Sequence, residues 1–316
     1  MNLPCNPFVT LIVLLSVLSL GPSTAQANEF TLLIPGGEGG GWDTTARAFG
    51  TSLIQSQPGT QVEYMNLPGN GGGKAMDWFQ QNPNPHTIMV NSTPLVVRHL
   101  SGVFQHHYKD FTPLAAIASD YATFVVNKRA SWQSWRQMRK QFKDRGVVFG
   151  GASKGSLDHI AAAIAWEKSG YSLKDFKYKE YDNGGDALSA LLAGEFDVLS
   201  TGLGEAMTAF YGDQVRIVGV AAPRRLPGLF FIPTLKEHGT RMEMTNWRGL
   251  FASPNHPDQA QLEMLVSSTI KSLPWHMALQ KYAWQPLLIS GDDFEDFLSS
   301  QESEFKRVLG KLDMLP

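Results

Sequence analysis

The sequence has little cysteine, little net charge and no long hydrophobic run. Its one cysteine, Cys5, lies before an apolar segment near the N-terminus. If that segment is removed, the remaining chain has no disulfide, no thiolate nucleophile and no cysteine-bound metal. The formal net charge of −2 gives no electrostatic reason to expect nucleic-acid binding. With 43% hydrophobic and 18% charged residues, the composition is typical of a globular protein with a substantial core.

The apolar segment at residues 8–20 is too short to cross a membrane, for which about 20 residues are needed. A glycine–proline pair ends it, and Ala25 and Ala27 provide the small residues of a signal-peptidase site. No lysine or arginine precedes the segment, which is unusual for a secretion signal. We predict that residues 1–27 are a signal peptide, cleaved after Ala27, and that the protein is exported to the periplasm.

Two glycine clusters, at residues 36–41 and 69–73, lack the fingerprints of nucleotide-binding loops. The dinucleotide pattern G-x-G-x-x-G fails at Trp42, and the P-loop pattern fails at Pro68 and Ala75. The first cluster, however, follows an apolar run and leads into a helical pattern. That order of strand, glycine loop and helix start directs backbone N–H groups at one point and suits an anion. The alternative is a flexible connection between strand and helix.

Apolar runs alternate with helical patterns, which predicts an α/β fold with mostly parallel sheets flanked by helices. Strands are predicted at residues 30–34, 61–66, 87–91, 123–127, 147–149, 177–181, 198–200, 216–221 and 246–252. Helices are predicted at residues 44–55, 73–81, 156–168, 185–193 and 205–211, with more helices toward the C-terminus. In the basic segment 128–145, apolar residues recur at helical spacing, which predicts a surface helix with solvated charges.

Further glycine-rich loops follow predicted strands, at residues 150–156, 182–185 and 201–204. In open α/β sheets, ligands bind beyond the carboxyl ends of the strands. Two glycine loops therefore come from the first third of the chain and three from its middle. We predict two α/β lobes whose glycine loops face a shared ligand cleft, with a bound carboxylate bridging both sets of loops.

The segment from Gly151 to Gly155 also matches G-x-S-x-G, the nucleophile elbow of α/β-hydrolases, with Ser153 as the nucleophile. Later acids and histidines could complete a triad: Asp197, Asp213, His238, His256 and His276. No His-Gly-Gly-Gly motif for an oxyanion hole occurs. A secreted serine hydrolase is therefore the alternative, and we expect Ser153 to hydrogen-bond a ligand instead. Adjacent His106 and His107 point apart and predict no metal site.

Several motifs together resemble the receptors of tripartite tricarboxylate transporters, also called Bug receptors. The first is the glycine loop at residues 35–47, and the others follow in the order of that family along nearly the whole mature chain. They are Asn66-Leu-Pro-Gly-Asn-Gly-Gly-Gly73, Gly151-Ala-Ser-Lys-Gly-Ser-Leu-Asp-His159, Tyr181-Asp-Asn-Gly-Gly-Asp-Ala-Leu188 and Leu192-Ala-Gly-Glu-Phe-Asp197. Three later segments are most similar to the tricarboxylate branch: Arg225-Leu-Pro-Gly228, Pro233-Thr-Leu-Lys-Glu237 and Asn246-Trp-Arg-Gly249.

The resemblance implies a non-enzymatic, periplasmic receptor with the two-lobe, type II-like architecture of periplasmic binding proteins. It implies a small carboxylate ligand, a di- or tricarboxylate, that backbone N–H groups and ordered water hold. The receptor delivers this ligand to a membrane permease, and we expect a monomer without cofactor or metal. The chain crosses between lobes twice, so we expect residues 28–127 plus 246–316 to form lobe 1 and residues 128–245 to form lobe 2.

The expected ligand-binding residues come from both lobes. They are Gly39, Gly40, Gly41, Trp42, Asp43, Gly71, Gly72, Ser92, Ser153, Lys154, Gly155, Asn183, Gly184 and Thr201. Asp43 either fixes bound water beside the carboxylate or only caps the helix, and Trp42 either walls the cleft or is buried in the core. Lys154 and Glu38 depart from the small residues usual in the family. Lys154, if it faces the cleft, favours a second carboxylate.

Overall fold

The computed structural model describes residues 28–181 and 184–316. The predicted signal peptide and the predicted site residue Asn183 lie outside the described residues. Within these two ranges, no helix is long and apolar enough to cross a membrane.

The described chain alternates strands and helices along most of its length. The strands are β1 (Asn28–Ile34), β2 (Thr60–Asn66), β3 (Thr87–Ser92), β4 (Thr112–Asn127), β5 (Phe149–Ala152), β6 (Tyr178–Tyr181), β7 (Val198–Gly202), β8 (Val215–Val220), β9 (Thr245–Ala252) and β10 (Gln285–Ser290). The α-helices are α1 (Gly41–Ser56), α2 (Gly73–Gln81), α3 (Pro94–Leu100), α4 (Trp135–Arg145), α5 (Leu157–Lys168), α6 (Gly184–Ala193), α7 (Leu203–Tyr211), α8 (Gln259–Ile270), α9 (Leu273–Lys281) and α10 (Asp292–Lys311).

Strand β4 is shared by the two lobes. The strands lie in the order β2-β1-β3-β9-β4-β7-β5-β6, and β8 and β10 also pair with β4. From Thr112 to Tyr121, β4 pairs with β9, whereas from Ala122 onward it pairs with β7 and β8. The pairing partner therefore changes between Tyr121 and Ala122. The sequence predicts the crossings near Asn127 and Asn246, and the division of the chain into lobes at those residues stays a prediction.

The pairing is mixed, although the sequence predicts mostly parallel sheets. Strands β1, β2 and β3 pair in parallel, as do β5, β6 and β7. Every pairing of β4 with β7, β8, β9 and β10 is antiparallel, and so is that of β3 with β9. The antiparallel pairs therefore all involve β4 or β9.

Helix α4 shows how the predicted surface helix packs. Ser134 accepts a hydrogen bond from the Gln137 N–H and so caps the start of α4. Trp135 and Phe142 are buried against each other at a centroid distance of 5.6 Å, and both rings contact Phe149 of β5. As predicted, the apolar residues of α4 share one face, which here packs on the core of lobe 2.

The sequence analysis did not predict the first part of β4 or any of β10. It also placed the end of β5 at residue 149, whereas this strand continues to Ala152. The first half of β4 is rich in alanine, which has low strand propensity. Gly150 and Gly151, predicted as loop, belong to β5. A Cβ atom at Gly150 would lie 2.6 Å from the Phe196 ring, and one at Gly151 would lie 2.6 Å from the Tyr178 hydroxyl. Close packing of these side chains over the strand therefore requires glycine at both positions.

We predict that Gly150→Ala destabilises the fold by about 1–3 kcal/mol, because the added methyl group overpacks the Phe196 ring. Chemical denaturation measures the free energy of unfolding. Gly37→Ala is the matched control, because a Cβ atom there meets no atom within 4 Å. Equal stability of the two variants would contradict the packing argument.

Candidate ligand cleft

The first turn of α1 has backbone N–H groups that donate to no carbonyl oxygen of the helix. Helix α1 begins at Gly41 after the extended residue Gly40, and no side chain caps it. The Thr44 N–H donates to the Gly40 carbonyl oxygen at 2.8 Å and begins the helical hydrogen bonding. The N–H groups of the first turn before Thr44 therefore have no acceptor within the helix. Together with the positive end of the helix dipole, they form an anion-binding group.

Asp43 fixes the glycine loop. Its carboxylate accepts hydrogen bonds from the Gly39 N–H at 2.9 Å, from Arg47 Nε at 2.9 and 3.0 Å and from Asn66 Nδ2 at 3.0 Å. Burial raises the pKa of Asp43, but the hydrogen bonds from Arg47, Gly39 and Asn66 outweigh burial and hold this pKa below its usual value. Glu38 is exposed, and its carboxylate lies 3.8 Å from Arg47. Through Gly39 and Asn66, Asp43 thus holds the loop in place and does more than cap a helix. Its role toward bound water stays a prediction.

Trp42 and Ser92 form one wall beside this loop. The Trp42 indole N–H donates to Ser92 Oγ at 2.8 Å, so the Ser92 hydroxyl hydrogen remains available to a ligand. The indole ring packs over Gly36 and Gly72, where Cβ atoms would lie 3.1 and 3.4 Å from it. Arg98 lies over the same ring, and its Nη1 donates to the Gly71 carbonyl oxygen at 2.5 Å. The predicted site residues of lobe 1 therefore come together around Trp42.

The sequence did not predict Arg248 as a site residue, although it lies against the start of α1. It is on β9, opposite Ser92 in β3, and is 8% exposed. A Cβ atom at Gly41 would lie 3.1 Å from its Nη1. Its Nη2 lies 3.5 Å from Asp120 Oδ2, and its Nε has no hydrogen-bond partner among the described residues. A guanidinium beside the positive end of a helix is unfavourable until an anion joins them.

Other buried polar atoms near the cleft also lack partners. Asn91 Nδ2 is on β3, Ser200 Oγ is on β7 and Asn246 Oδ1 is on β9. Asn246 is paired with Asp120 in the β4–β9 ladder, and Asn91 is paired with Gly249 in the β3–β9 ladder. Most buried polar groups in folded proteins are hydrogen-bonded. Asn91 and Asn246 lie on the adjoining strands β3 and β9, and Ser200 lies on β7, on the other side of β4. Such exceptions occur at binding sites.

Carboxyl groups lie at the starts of α5 and α7. Asp120 accepts from the Leu203 N–H at 2.9 Å and so caps α7. Burial raises the pKa of Asp120 to about 6, with Arg248 opposing and Glu205 adding to the shift. Burial also raises the pKa of Asp158 to about 7, and the charges of Glu205 and Asp120 contribute. Asp158 accepts from the Ala152 N–H at 3.1 Å. A further negative charge here would disfavour the ionised form of both carboxyl groups.

In the predicted ligand loop of lobe 2, the backbone N–H groups of Lys154 and Gly155 donate to protein side chains. Ser153 and Lys154 are exposed. The Lys154 N–H donates to Glu180 at 3.0 Å, and the Gly155 N–H donates to His159 Nδ1 at 3.2 Å. Burial, with the nearby charge of Lys154, lowers the pKa of His159 to about 4. Ser153 therefore has a neutral histidine near it in the chain, and its role toward a ligand stays a prediction.

Thr201 and Gly184 both meet the carboxylate of Glu205. Thr201 Oγ1 donates to Glu205 Oε2 at 2.5 Å, and a Cβ atom at Gly184 would lie 2.8 Å from that oxygen. The acid of α7 thus covers the starts of both α6 and α7.

Of the residues proposed for a hydrolase triad, Asp197, His256 and His276 are bonded elsewhere. Asp197 accepts from the Val148 N–H at 2.8 Å. His256 Nε2 lies 3.0 Å from the Pro85 carbonyl oxygen, and His276 Nδ1 lies 2.8 Å from that of Ser272. Over residues 28–181 and 184–316, no three His, Cys, Asp or Glu side chains form a group that could hold a metal ion.

A cavity of about 360 Å³ lies away from the glycine loops, between α5 and α10. A neighbouring cavity of about 200 Å³ reaches Tyr121 and Thr245, at the junction of the lobes. None of the predicted site residues lines either cavity. The candidate site is therefore defined by convergent donors, and not by the shape of a cavity.

The chain is similar to known receptors over most of its length. The sequence profile of the Tripartite tricarboxylate transporter family receptor matches residues 50–314. A UPF0065 protein from the tcbD-tcbE intergenic region of Pseudomonas sp. strain P51 is 28% identical over 238 residues, which are 73% of this chain and 70% of that protein. MatC of Rhodopseudomonas palustris with bound malate has a TM-score of 0.72 at 21% identity and covers 89% of this chain and 98% of its own. R. palustris Rpa4515 with adipate has a TM-score of 0.76 at 19% identity and covers 91% and 98%.

We predict that Asp43→Asn destabilises the protein at pH 7 by about 1.5–3 kcal/mol, because Arg47 and Asn66 lose a charged acceptor. The lowered pKa of Asp43 stabilises the fold above the usual value of 3.8, and this contribution is lost as the pH falls through the lower, folded value. The difference between variant and wild type should therefore shrink below about pH 4. Urea denaturation at pH 7 and pH 3 measures it.

The control for this prediction is Glu38→Gln, because the Glu38 side chain is 82% exposed and forms only a long ion pair. It should change stability by less than about 0.5 kcal/mol at either pH. A pH-independent loss in Asp43→Asn would show that packing, and not the carboxylate charge, is responsible.

Proposed function

Because this chain belongs to the tripartite tricarboxylate transporter receptor family, we propose that it captures a small di- or tricarboxylate and delivers it to the membrane permease of such a transporter. Family membership makes the chain a solute-binding receptor and not an enzyme, so the serine hydrolase alternative is wrong. Receptors of this family are periplasmic. We further propose that this chain reaches the periplasm by cleavage after Ala27, and that it acts as a monomer without a cofactor.

The observation that carries the proposal is the meeting of Arg248 with the uncapped start of α1. The guanidinium is nine-tenths buried, and its Nη1 approaches Gly41. In our proposal, one ligand carboxylate accepts from the first-turn N–H groups of α1, from the Ser92 hydroxyl and from Arg248. Hydrogen bonds to a charged acceptor contribute about 1.5–3 kcal/mol each. Arg248 adds a side-chain cation to the backbone donors that the family resemblance implies.

Known ligands of two structural neighbours support a dicarboxylate. Malate in MatC and adipate in Rpa4515 each carry two carboxyl groups. Their identity to this chain is 21% and 19%, so they support the class of ligand without specifying the compound. The lobe 1 donors account for one carboxylate, and the rest of the ligand faces lobe 2.

Closure of the lobes completes the site in this proposal. Asp120 bonds to the start of α7 in lobe 2, and its other oxygen faces Arg248, which lies on the lobe 1 strand β9. The start of α7 also approaches lobe 1 directly, because a Cβ atom at Gly204 would lie 3.0 Å from the Tyr282 carbonyl oxygen. A ligand that contacts both sides favours the closed state, and the permease then recognises that state.

We predict that Arg248→Gln weakens binding of the ligand about 10- to 150-fold, which corresponds to the loss of one charged hydrogen bond of about 1.5–3 kcal/mol. Isothermal titration calorimetry with malate, succinate, adipate and citrate measures the affinities. Arg224→Gln is the matched control, because Arg224 is exposed and belongs to the loop after β8. Circular dichroism verifies that both variants fold. Unchanged affinity in a folded Arg248→Gln protein contradicts the proposed carboxylate site.

A further inference from the structure

Three aromatic side chains of lobe 2 are exposed on one part of its surface. Tyr211, at the end of α7, is 73% exposed, and Phe230 and Phe231, in the loop after β8, are 65% and 53% exposed. The Phe231 ring stacks on that of Phe210 at a centroid distance of 5.5 Å, and the Phe210 ring lies 5.9 Å from that of Tyr211. We call these four residues the aromatic patch. Single exposed apolar residues need no explanation, but a contiguous group of large rings is typical of an interaction surface.

The loop that carries the two exposed phenylalanines is held in place. Leu229 and Ile232, on either side of them, are buried in the core of lobe 2. Arg225 Nη1 donates to the Phe230 carbonyl oxygen at 2.6 Å, and the same guanidinium donates to both carboxylate oxygens of Glu237. The loop therefore presents two large apolar rings to solvent on an anchored backbone.

A basic segment begins beside the aromatic patch. In residues 128–145, seven of the 18 residues are Lys or Arg and one is acidic, so this segment is far more positive than a chain with a net charge of −2 would suggest. Its first residue, Lys128, forms an ion pair with Asp213, which follows Tyr211 by two positions. Arg129 is the next residue along the chain and is exposed.

Helix α4, in the same basic segment, approaches the other side of the aromatic patch. Arg136 Nη2 donates to the Glu237 carbonyl oxygen at 3.2 Å, and the Glu237 carboxylate binds Arg225 beneath the phenylalanine loop. Among the side chains that the structure describes, no carboxylate lies within ion-pair distance of Arg129 or Arg136. Cations without an internal partner thus flank the exposed rings on two sides.

We propose that the aromatic patch and its flanking cations dock the receptor on the surface of an anionic phospholipid membrane. In this arrangement, the exposed rings enter the boundary between headgroups and acyl chains, where amphipathic and aromatic side chains are favoured. Arg129 and Arg136 contact the anionic headgroups. Each Lys or Arg close to such a surface strengthens binding about five-fold. Apolar anchors and a basic rim together give the two signals that stable but reversible attachment requires.

Docking through the aromatic patch leaves the ligand cleft accessible. Helix α7 begins at Leu203, whose N–H donates to Asp120 beside the cleft, and it ends at Tyr211 in the patch. At 1.5 Å per residue, the two ends of the helix are about 12 Å apart. A docked receptor can therefore keep its ligand, and the membrane inference does not depend on which ligand the cleft holds.

Co-sedimentation of the full receptor with protein-free vesicles tests the inference. Vesicles of phosphatidylcholine alone are compared with vesicles that also contain phosphatidylglycerol, at about 0.05 M and about 0.5 M salt. We expect at least about 10-fold tighter binding to the anionic vesicles at the lower salt concentration. The double variant Arg129→Gln, Arg136→Gln should remove most of this preference, with a loss of about 25-fold. The double variant Phe230→Ser, Phe231→Ser should weaken binding at least about 10-fold at both salt concentrations.

The matched control is Leu273→Ser, Met277→Ser, which removes two side chains of α9 that are 73% and 61% exposed and lie outside the patch. This variant should bind anionic vesicles like the wild type, and circular dichroism verifies that every variant folds. Equal binding of the wild type to the two kinds of vesicle, or equal losses in the two serine variants, overturns the inference. Binding to native membranes that protease treatment abolishes, without binding to protein-free vesicles of the same lipids, would show that the patch meets a membrane protein instead.

Discussion

The guanidinium of Arg248 connects the elements on which the cleft depends. It lies on β9, which pairs with both β3 and β4, between the start of α1 and the Asp120 carboxylate that caps α7. Burying a charge costs several kcal/mol unless hydrogen bonds and opposite charge replace its hydration. Asp120 at 3.5 Å replaces only part of it, and the positive end of α1 opposes it. In the proposed site, the carboxylate of the ligand supplies the missing negative charge, so that ligand binding and the electrostatics of the fold are coupled at one residue.

Such a site works only if the backbone donors are held in place. The Asp43 carboxylate fixes the loop before α1 through the Gly39 N–H, and Asn66 at the end of β2 joins this carboxylate to the Gly36 carbonyl oxygen. The hydrogen bond from Trp42 to Ser92 ties the first turn of α1 to β3, which is buried along its whole length. The glycines thus provide close approach to a ligand, and the side chains around them remove the flexibility that so many glycines would bring.

Local patterns in the sequence predicted most of the helices, the parallel strands and the first glycine loop, because each depends on residues a few positions apart. Local patterns could not predict contacts between segments that are distant in the sequence. Arg248 and Asp120 are 128 residues apart, and only the pairing of β4 with β9 brings them together. A signal was present: each is the one charged residue of its strand, where burial without a partner is costly. The last residues of β5 were not predicted as strand, because their glycines are explained only by Phe196 and Tyr178, which pack over them from distant parts of the chain.

The starts of three similar helices in the two lobes differ in the residue that stands one turn after an acid. Asp43, Asp158 and Glu205 each lie in the first turn of a helix that follows a glycine loop, where a carboxylate favours the helix dipole. Four residues after Asp43 stands Arg47, which neutralises it on the next turn, whereas Ala162 and Ala209 stand at that spacing after Asp158 and Glu205. The acid of lobe 1 is thus part of an ion pair, whereas Asp158 and Glu205 have no cation at that spacing.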